Sequence, residues 1–379
     1  MLLMKLGEGR PMMMKKNLAI ALACCAIACV IGLAGCTQPA SSSDSSVDSS
    51  AESSSASSQE VSAAQKKLQE GLDYWFGING AEFDMAKARD AFLEAANGGE
   101  ADGWYWLGVL RMHDIDAERW VQVMSYFEKA AEEGSTLGLC GQALLHDTGF
   151  GVQKDTEKAV ELYQQAADAG DQYANVNLAY KYARGKGVEP DPEKAMQMLE
   201  QAAQSDDFLV ANSALMELGS IYRDGIGVFS DADKAIEYFQ KASDNGFAQA
   251  SHRLANMYMT GDGIDADNAK AKEYYEKEAA GGWYYNLALY YADSEPADYK
   301  AAAELCQKDA EGGKDRAMAM CLLAYMTAMG EGVEQDTDAA VDWAHMALDA
   351  IGPYDDTSDD MTVNPTLYAH YILQSLGAE

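Results

Sequence analysis

From about residue 138 onward, small and apolar residues recur at offsets of four, five and eight, with polar residues filling the positions between. Ala174, Leu178, Ala179 and Tyr182 make one such run, Ala214, Leu218, Gly219 and Tyr222 the next, and Ala250, Leu254, Ala255 and Tyr258 a third. These offsets put each set on one face of an α-helix. Each run stops at two glycines separated by one residue, where a positive φ is cheap only without a Cβ. An aspartate then precedes a second helical pattern: Asp155, Asp191, Asp231, Asp267 and Asp336. An aspartate there predicts an N-cap whose carboxylate accepts a backbone N–H. The second pattern carries Ala159, Tyr163, Ala166 and Ala167 in one place, and Ala235, Phe239 and Ala242 in another. The predicted elements are therefore helix pairs, each built on a seam of small residues.

The pairs repeat. Their second small residue falls at Ala96, Ala131, Ala167, Ala203, Ser243, Ala279, Ala310 and Leu348, steps near 36 residues. A fixed period of this length marks stacked units that bury their seams against one another, not a single globular core. The fold class is all-α, an α/α superhelical solenoid of about eight helix pairs, with a last helix over about 365–376 closing the array. The first, second and seventh units lack the double-glycine turn, and the seventh has Pro296 at its turn.

A small residue, Leu-Gly or Leu-Ala, Tyr, Gly-x-Gly-Val, Asp, Lys-Ala, an aromatic pair, Ala-Ala and Gly together resemble the Sel1-like repeat family, a relative of tetratricopeptide repeats. The resemblance runs over about 64–350 and is strongest over 138–282. It implies a right-handed superhelix with a concave and a convex surface, and a non-catalytic adaptor role toward protein or peptide partners. Some cysteine-rich secreted relatives have been proposed to bind or hydrolyse β-lactams, which gives an alternative reading as an enzyme. Their regular cysteine pair per repeat is absent here.

The N-terminal region reads differently. Lys15 and Lys16 precede an uncharged apolar run from Leu18 to Leu33, about 16 residues and short of the roughly 20 a bilayer span needs. That is the pattern of a secretory signal. Leu33-Ala34-Gly35-Cys36 resembles the lipobox of bacterial lipoproteins, which implies that Cys36 carries diacylglycerol and becomes the mature N-terminus. Residues 1–35 are thus expected to be a signal peptide and 36–61 a flexible tether, since 12 of residues 41–60 are serine and no apolar face exists to offset ordering entropy. Residues 62–379 form the solenoid. The expected location is the extracytoplasmic face of a cell membrane, held by lipid.

The formal charge is −33, and loss of residues 1–35 leaves 24 basic and 60 acidic residues. Such a chain repels nucleic acid, so nucleic-acid partners are excluded. The same charge admits another alternative, capture of cationic ligands. No histidine pair or Cys-x-x-Cys spacing points to a metal, and no cofactor motif is present. Cys306 and Cys321 flank Gly313 at seven and eight residues, so a tight turn there allows either a disulfide or two buried thiols. Asp355 to Asp360 reads as a solvated acidic loop.

Because packing explains the recurring positions, partner recognition is expected where units differ. On the first helices a face beside the seam reads Asn177, Tyr180 and Arg184, then Glu217, Ser220 and Asp224, then Arg253, Asn256 and Thr260, with Leu322, Tyr325 and Met329 near the end. Asn177, Tyr180, Arg184, Arg253, Asn256 and Tyr325 are the candidate partner-binding residues.

Overall fold

The structure, a computed structural model, describes residues 62–76, 79, 81, 84–112, 118–312, 315–350 and 364–378. The signal segment, Cys36, the serine-rich tether and the 355–360 loop lie outside the described residues. Among the described residues there are seventeen α-helices and no strand. In chain order they are α1 (Ala63–Phe76), α2 (Met85–Asn97), α3 (Asp102–Arg111), α4 (Arg119–Glu132), α5 (Thr136–Thr148), α6 (Thr156–Asp168), α7 (Gln172–Arg184), α8 (Pro192–Ala202), α9 (Phe208–Asp224), α10 (Ala232–Asp244), α11 (Ala248–Thr260), α12 (Asn268–Ala280), α13 (Tyr285–Asp293), α14 (Tyr299–Gly312), α15 (Arg316–Met329), α16 (Thr337–Ala350) and α17 (Pro365–Leu376). That is eight pairs and a final helix, at the positions the repeat period predicted.

The described residues divide into two compact units, one ending at Leu178 and also holding 186–188, the other holding 179–185 and everything from Glu189. In the first, α1 packs on α2, α3 on α4 and α5 on α6, with α4 also against α5. In the second, each helix from α8 to α12 packs on its successor, α13 on α14, α14 on α15 and α15 on α16, and α17 covers both α15 and α16.

The seam is built as the sequence predicted. Ala159, Ala195, Ala235 and Ala271 on second helices and Ala174, Ala214 and Ala250 on first helices are fully buried. Small residues let helix axes approach until the larger side chains interlock. Phe127 of α4 shows the limit of this approach. Its ring lies against Gly108 of α3 and Gly141 of α5, where an added Cβ would come within 2.6 Å and 2.7 Å of ring carbons.

The turn between the helices of a pair is closed by a clasp. Asp155, Asp191, Asp231, Asp267 and Asp336 each accept a backbone N–H from the first turn of their helix, at 2.8 to 3.1 Å. Each also donates its own backbone N–H to a carbonyl of the preceding helix: Asp155 to His146, Asp191 to Tyr182, Asp231 to Tyr222, Asp267 to Tyr258 and Asp336 to Thr327. Two pairs without the double-glycine turn keep the clasp. Asp84 caps α2 and donates to Tyr74, and Asp298 caps α14 and donates to Tyr291.

One expectation needs correction. Tyr182, Tyr222 and Tyr258 share the helical phase of the seam but are only half-buried. They stand at its edge, with Lys194, Lys234 and Lys270 lying over their rings at 3.7, 4.8 and 4.8 Å from the centroids. The rings of Tyr238 and Tyr274 stack on Tyr222 and Tyr258. In these three repeats the lysine three residues after the capping aspartate thus shields a tyrosine through its ring quadrupole.

Candidate functional site

In eight successive second helices, one position holds Ala95, Ala130, Ala166, Ala202, Ala242, Glu278, Asp309 and Ala347. The alanines pack in the seam. Two adjacent repeats instead bury a carboxylate there, Glu278 at 4% exposure and Asp309 at 0%. A buried carboxylate is costly unless it is paired or hydrogen-bonded, so the structure around these two was rebuilt from neighbouring helices.

Glu278 of α12 faces His252 of α11 and Asn286 of α13. His252 Nδ1 lies 3.2 Å from Glu278 Oε1, and Asn286 Nδ2 donates to the same oxygen at 3.0 Å. Asn256, one turn after His252 on α11, places its Nδ2 2.8 Å from His252 Nε2. The Tyr275 hydroxyl donates to Asn256 Oδ1 at 2.7 Å. With the Asn256 amide as donor, Nε2 accepts and Nδ1–H is the donor toward Glu278; the Asn286 amide nitrogen also lies 3.2 Å from Nδ1. Burial, and then the charge of Glu278, push the Tyr275 phenol up, so it remains a donor. Tyr275, Asn256, His252, Glu278 and Asn286 therefore form one chain of hydrogen bonds joining three helices.

Asp309 of α14 does a different task. Its Oδ2 accepts the Tyr284 N–H at 3.2 Å and its Oδ1 accepts the Asp315 N–H at 3.1 Å. Tyr284 precedes α13 and offers that helix no side-chain cap, so Asp309 supplies the missing acceptor from the next helix. Burial raises the Asp309 carboxyl above the usual range, and its backbone donors partly oppose the rise.

Chemically, this arrangement favours binding and positioning over proton transfer. Both ring nitrogens of His252 are spent inside the network, so in this arrangement neither is offered to a substrate. Replacing Glu278 by alanine is expected to lower the unfolding free energy by about 1–2 kcal/mol, because the partly buried donors on His252 and Asn286 would lose their acceptor. Urea unfolding of Glu278→Ala checks this, and an unchanged midpoint would show that the network contributes nothing.

The predicted recognition face is only partly open. Arg184 pairs with Glu217 across neighbouring first helices and lies over the Tyr180 ring at 4.3 Å. Asn177 is half-buried and turns its amide to the Tyr173 carbonyl of its own helix. Arg253 is 9% exposed and Leu322 6%, so both belong to the interior rather than to a wall. Tyr325 is partly buried against the cluster that surrounds Cys306 and Cys321. Asn256, counted with the face, belongs to the His252 network. His252 forms no histidine pair in the sequence, so nothing in a metal-site spacing marks it. Its spacing of four from Asn256, and the acid replacing a seam alanine at 278, were the available signals.

Of the two readings open for Cys306 and Cys321, the structure holds the pair of buried thiols. Cys306 on α14 and Cys321 on α15 are both fully buried on packed helices, yet they are free thiols. Cys321 Sγ turns away to the Pro365 carbonyl at the start of α17, 3.4 Å distant. Burial raises both thiols, Cys321 to about 12, and does the same to Cys140. A thiol so raised is a poor nucleophile.

Comparison with known proteins agrees with the repeat seen in the coordinates. A family model described as Sel1 repeat matches residues 124–135, 137–171, 172–207, 212–247, 248–282, 284–314 and 317–350. A protective antigen of uropathogenic Escherichia coli strains with an SLR fold is 26% identical over 75% of this chain and 61% of that one, at a TM-score of 0.41. The present chain thus spans about three fifths of that protein. A Sel1 repeat protein from Oxalobacter formigenes is 24% identical over 82% of this chain and 88% of that one, TM-score 0.45. Yeast Tom70 is 15% identical over 85% of this chain and 66% of that one, and its TM-score of 0.58 shows a shared helical-solenoid fold.

Proposed function

Since this chain belongs to the Sel1 repeat family, whose model covers more than half its length, we propose that it is a protein–protein interaction scaffold anchored in a cell membrane by lipid at Cys36. The repeats supply the scaffold. The observation that carries the reading is the division of labour along the first helices. The repeating positions are consumed in the seam, while neighbouring positions differ from repeat to repeat and remain partly open, as at Tyr180, Asp224 and Thr260. A surface of this kind recognises a partner by its sequence of side chains and performs no chemistry on it.

Anchoring rests on the sequence. The apolar run, the small residues and Cys36 follow the lipoprotein pattern, and several buried acyl chains at about 0.8 kcal/mol per methylene hold a protein firmly. The serine-rich stretch would then let the repeats stand on the order of 27 Å from the bilayer. Among the described residues, no helix is long and apolar enough to cross a membrane.

Two measurements test the reading. Cys36→Ser is expected to move the protein from the membrane fraction to the soluble one. Photo-crosslinking residues placed at Asp224 and at Thr260 in living cells are expected to capture the same protein neighbours reproducibly. Failure of both positions to yield any reproducible neighbour would remove the scaffold reading, and a Cys36→Ser protein still bound to membrane would remove the anchor.

A further inference from the structure

The loop that follows each double glycine shows an exception. The residue after Gly-x-Gly-Val or Gly-x-Gly-Ile is Gln153, Glu189, Asp265 and Glu334 in four repeats, all exposed and polar. In the fifth it is Phe229, which is 96% exposed. A phenylalanine held almost wholly in water forfeits the transfer free energy of its ring. Phe229 stands four residues before Asp233, at the start of α10. Asp233 in turn lines a groove of about 320 Å³ whose other walls are Ile236 of α10, Tyr258 of α11, the Ile264–Asp267 segment and Lys270 of α12.

The groove has an apolar floor and an acidic rim. Ile236, Ile264 and Tyr258 are half-buried, while Asp233 and Asp265 are exposed. Asp267 is committed to capping α12. Lys270 lies over the Tyr258 ring, on which Tyr274 also stacks. Asp233 and Asp265 have no such commitment among the described residues, and they set the charge that a ligand meets.

We propose that this groove and Phe229 form a docking site for a basic segment of a protein partner. An arginine or lysine lays its methylene stem over Ile236 and Ile264 with its cation between Asp233 and Asp265, and an apolar neighbour of that residue covers Phe229. Charge complementarity selects this occupant: the rim is acidic, the chain as a whole carries −33, and a long cationic side chain is the type that pairs an apolar stem with a charged head. The proposal rests on the scaffold reading and specifies where, and to what chemistry, the scaffold binds.

The test uses the full chain and fluorescence anisotropy. The probe is a fluorescein-labelled nonapeptide with one arginine between leucines, and its twin carries citrulline in place of the arginine. The arginine peptide is expected to bind at least fivefold more tightly than the twin, less so at high salt. Asp233→Asn with Asp265→Asn is expected to weaken it about tenfold, as two lost exposed ion pairs would. Glu193→Gln with Asp338→Asn removes the same charge elsewhere and is expected to leave binding unchanged. Phe229→Ala is expected to weaken both peptides. All these positions are exposed, so circular dichroism should show an intact fold. Equal binding of the two peptides, no binding of either, or equal loss in both double variants would overturn the proposal. Crosslinks retained at Asp224 and Thr260 in that event would leave the scaffold reading standing.

Discussion

Gly332→Ala is expected to lower the unfolding free energy by about 3 kcal/mol or more, while Gly246→Ala, at a similarly left-handed backbone, loses only about 1–2 kcal/mol. Gly330 and Gly332 form the double glycine after α15, with φ of 72° and 75°. A Cβ on Gly332 would overlap the carbonyl of Tyr299 and lie 2.8 Å from the Lys300 nitrogen. Both belong to the first turn of α14, so the obstacle is helical backbone and cannot rotate away. Gly246 has φ of 90° and nothing within 4 Å of an added Cβ. The two substitutions thus share the cost of a left-handed alanine and differ in the collision. The array is stabilised by contacts between neighbouring repeats, and Gly332 sits at such a contact. Urea unfolding of the two variants separates the terms. Equal losses would mean that the close approach of loop and helix has no energetic weight.

Phe127→Ala is expected to cost about 4–5 kcal/mol, at the upper end for buried aromatic residues. Phe127 is fully buried, and its ring stacks on Tyr105 with centroids 5.3 Å apart. The spread of such costs reflects how well the surroundings collapse into the vacated space. Two of the walls against the ring are Gly108 and Gly141, which have no side chains to move inward. The double variant Phe127→Ala with Gly141→Ala is expected to recover part of the loss, because the new methyl occupies space the ring has left. Thermal and urea unfolding of both variants check this, and a loss below about 1 kcal/mol for Phe127→Ala would show that the helices close around the gap.

Much of the fold was legible because its signals are local. The period, the seam alanines and the aspartate caps each depend on residues within one helix pair, so a single sequence displays them. The features that escaped depend on partners from other helices. Arg253 has the phase of a wall residue but is drawn into the interior, and spacing alone could not choose between a disulfide and two thiols at Cys306 and Cys321, where Cys321 turns to α17. The tyrosines at the ends of first helices read as core because helical phase does not report the lysine that covers them. Glu278 and Asp309 were visible as departures from alanine at a fixed repeat position, yet their meaning required His252, Asn286 and the Tyr284 N–H to be brought from α11, α13 and the turn before it.

The aspartate clasp spans different lengths of chain. It joins residues nine apart in five repeats, as from Tyr222 to Asp231, ten apart from Tyr74 to Asp84, and seven apart from Tyr291 to Asp298. The same two bonds are made across each interval, with or without glycines. The clasp itself therefore tolerates a change in the length of the stretch between carbonyl and aspartate; what limits rewriting that stretch is its packing on the preceding repeat, as where Gly332 meets the first turn of α14.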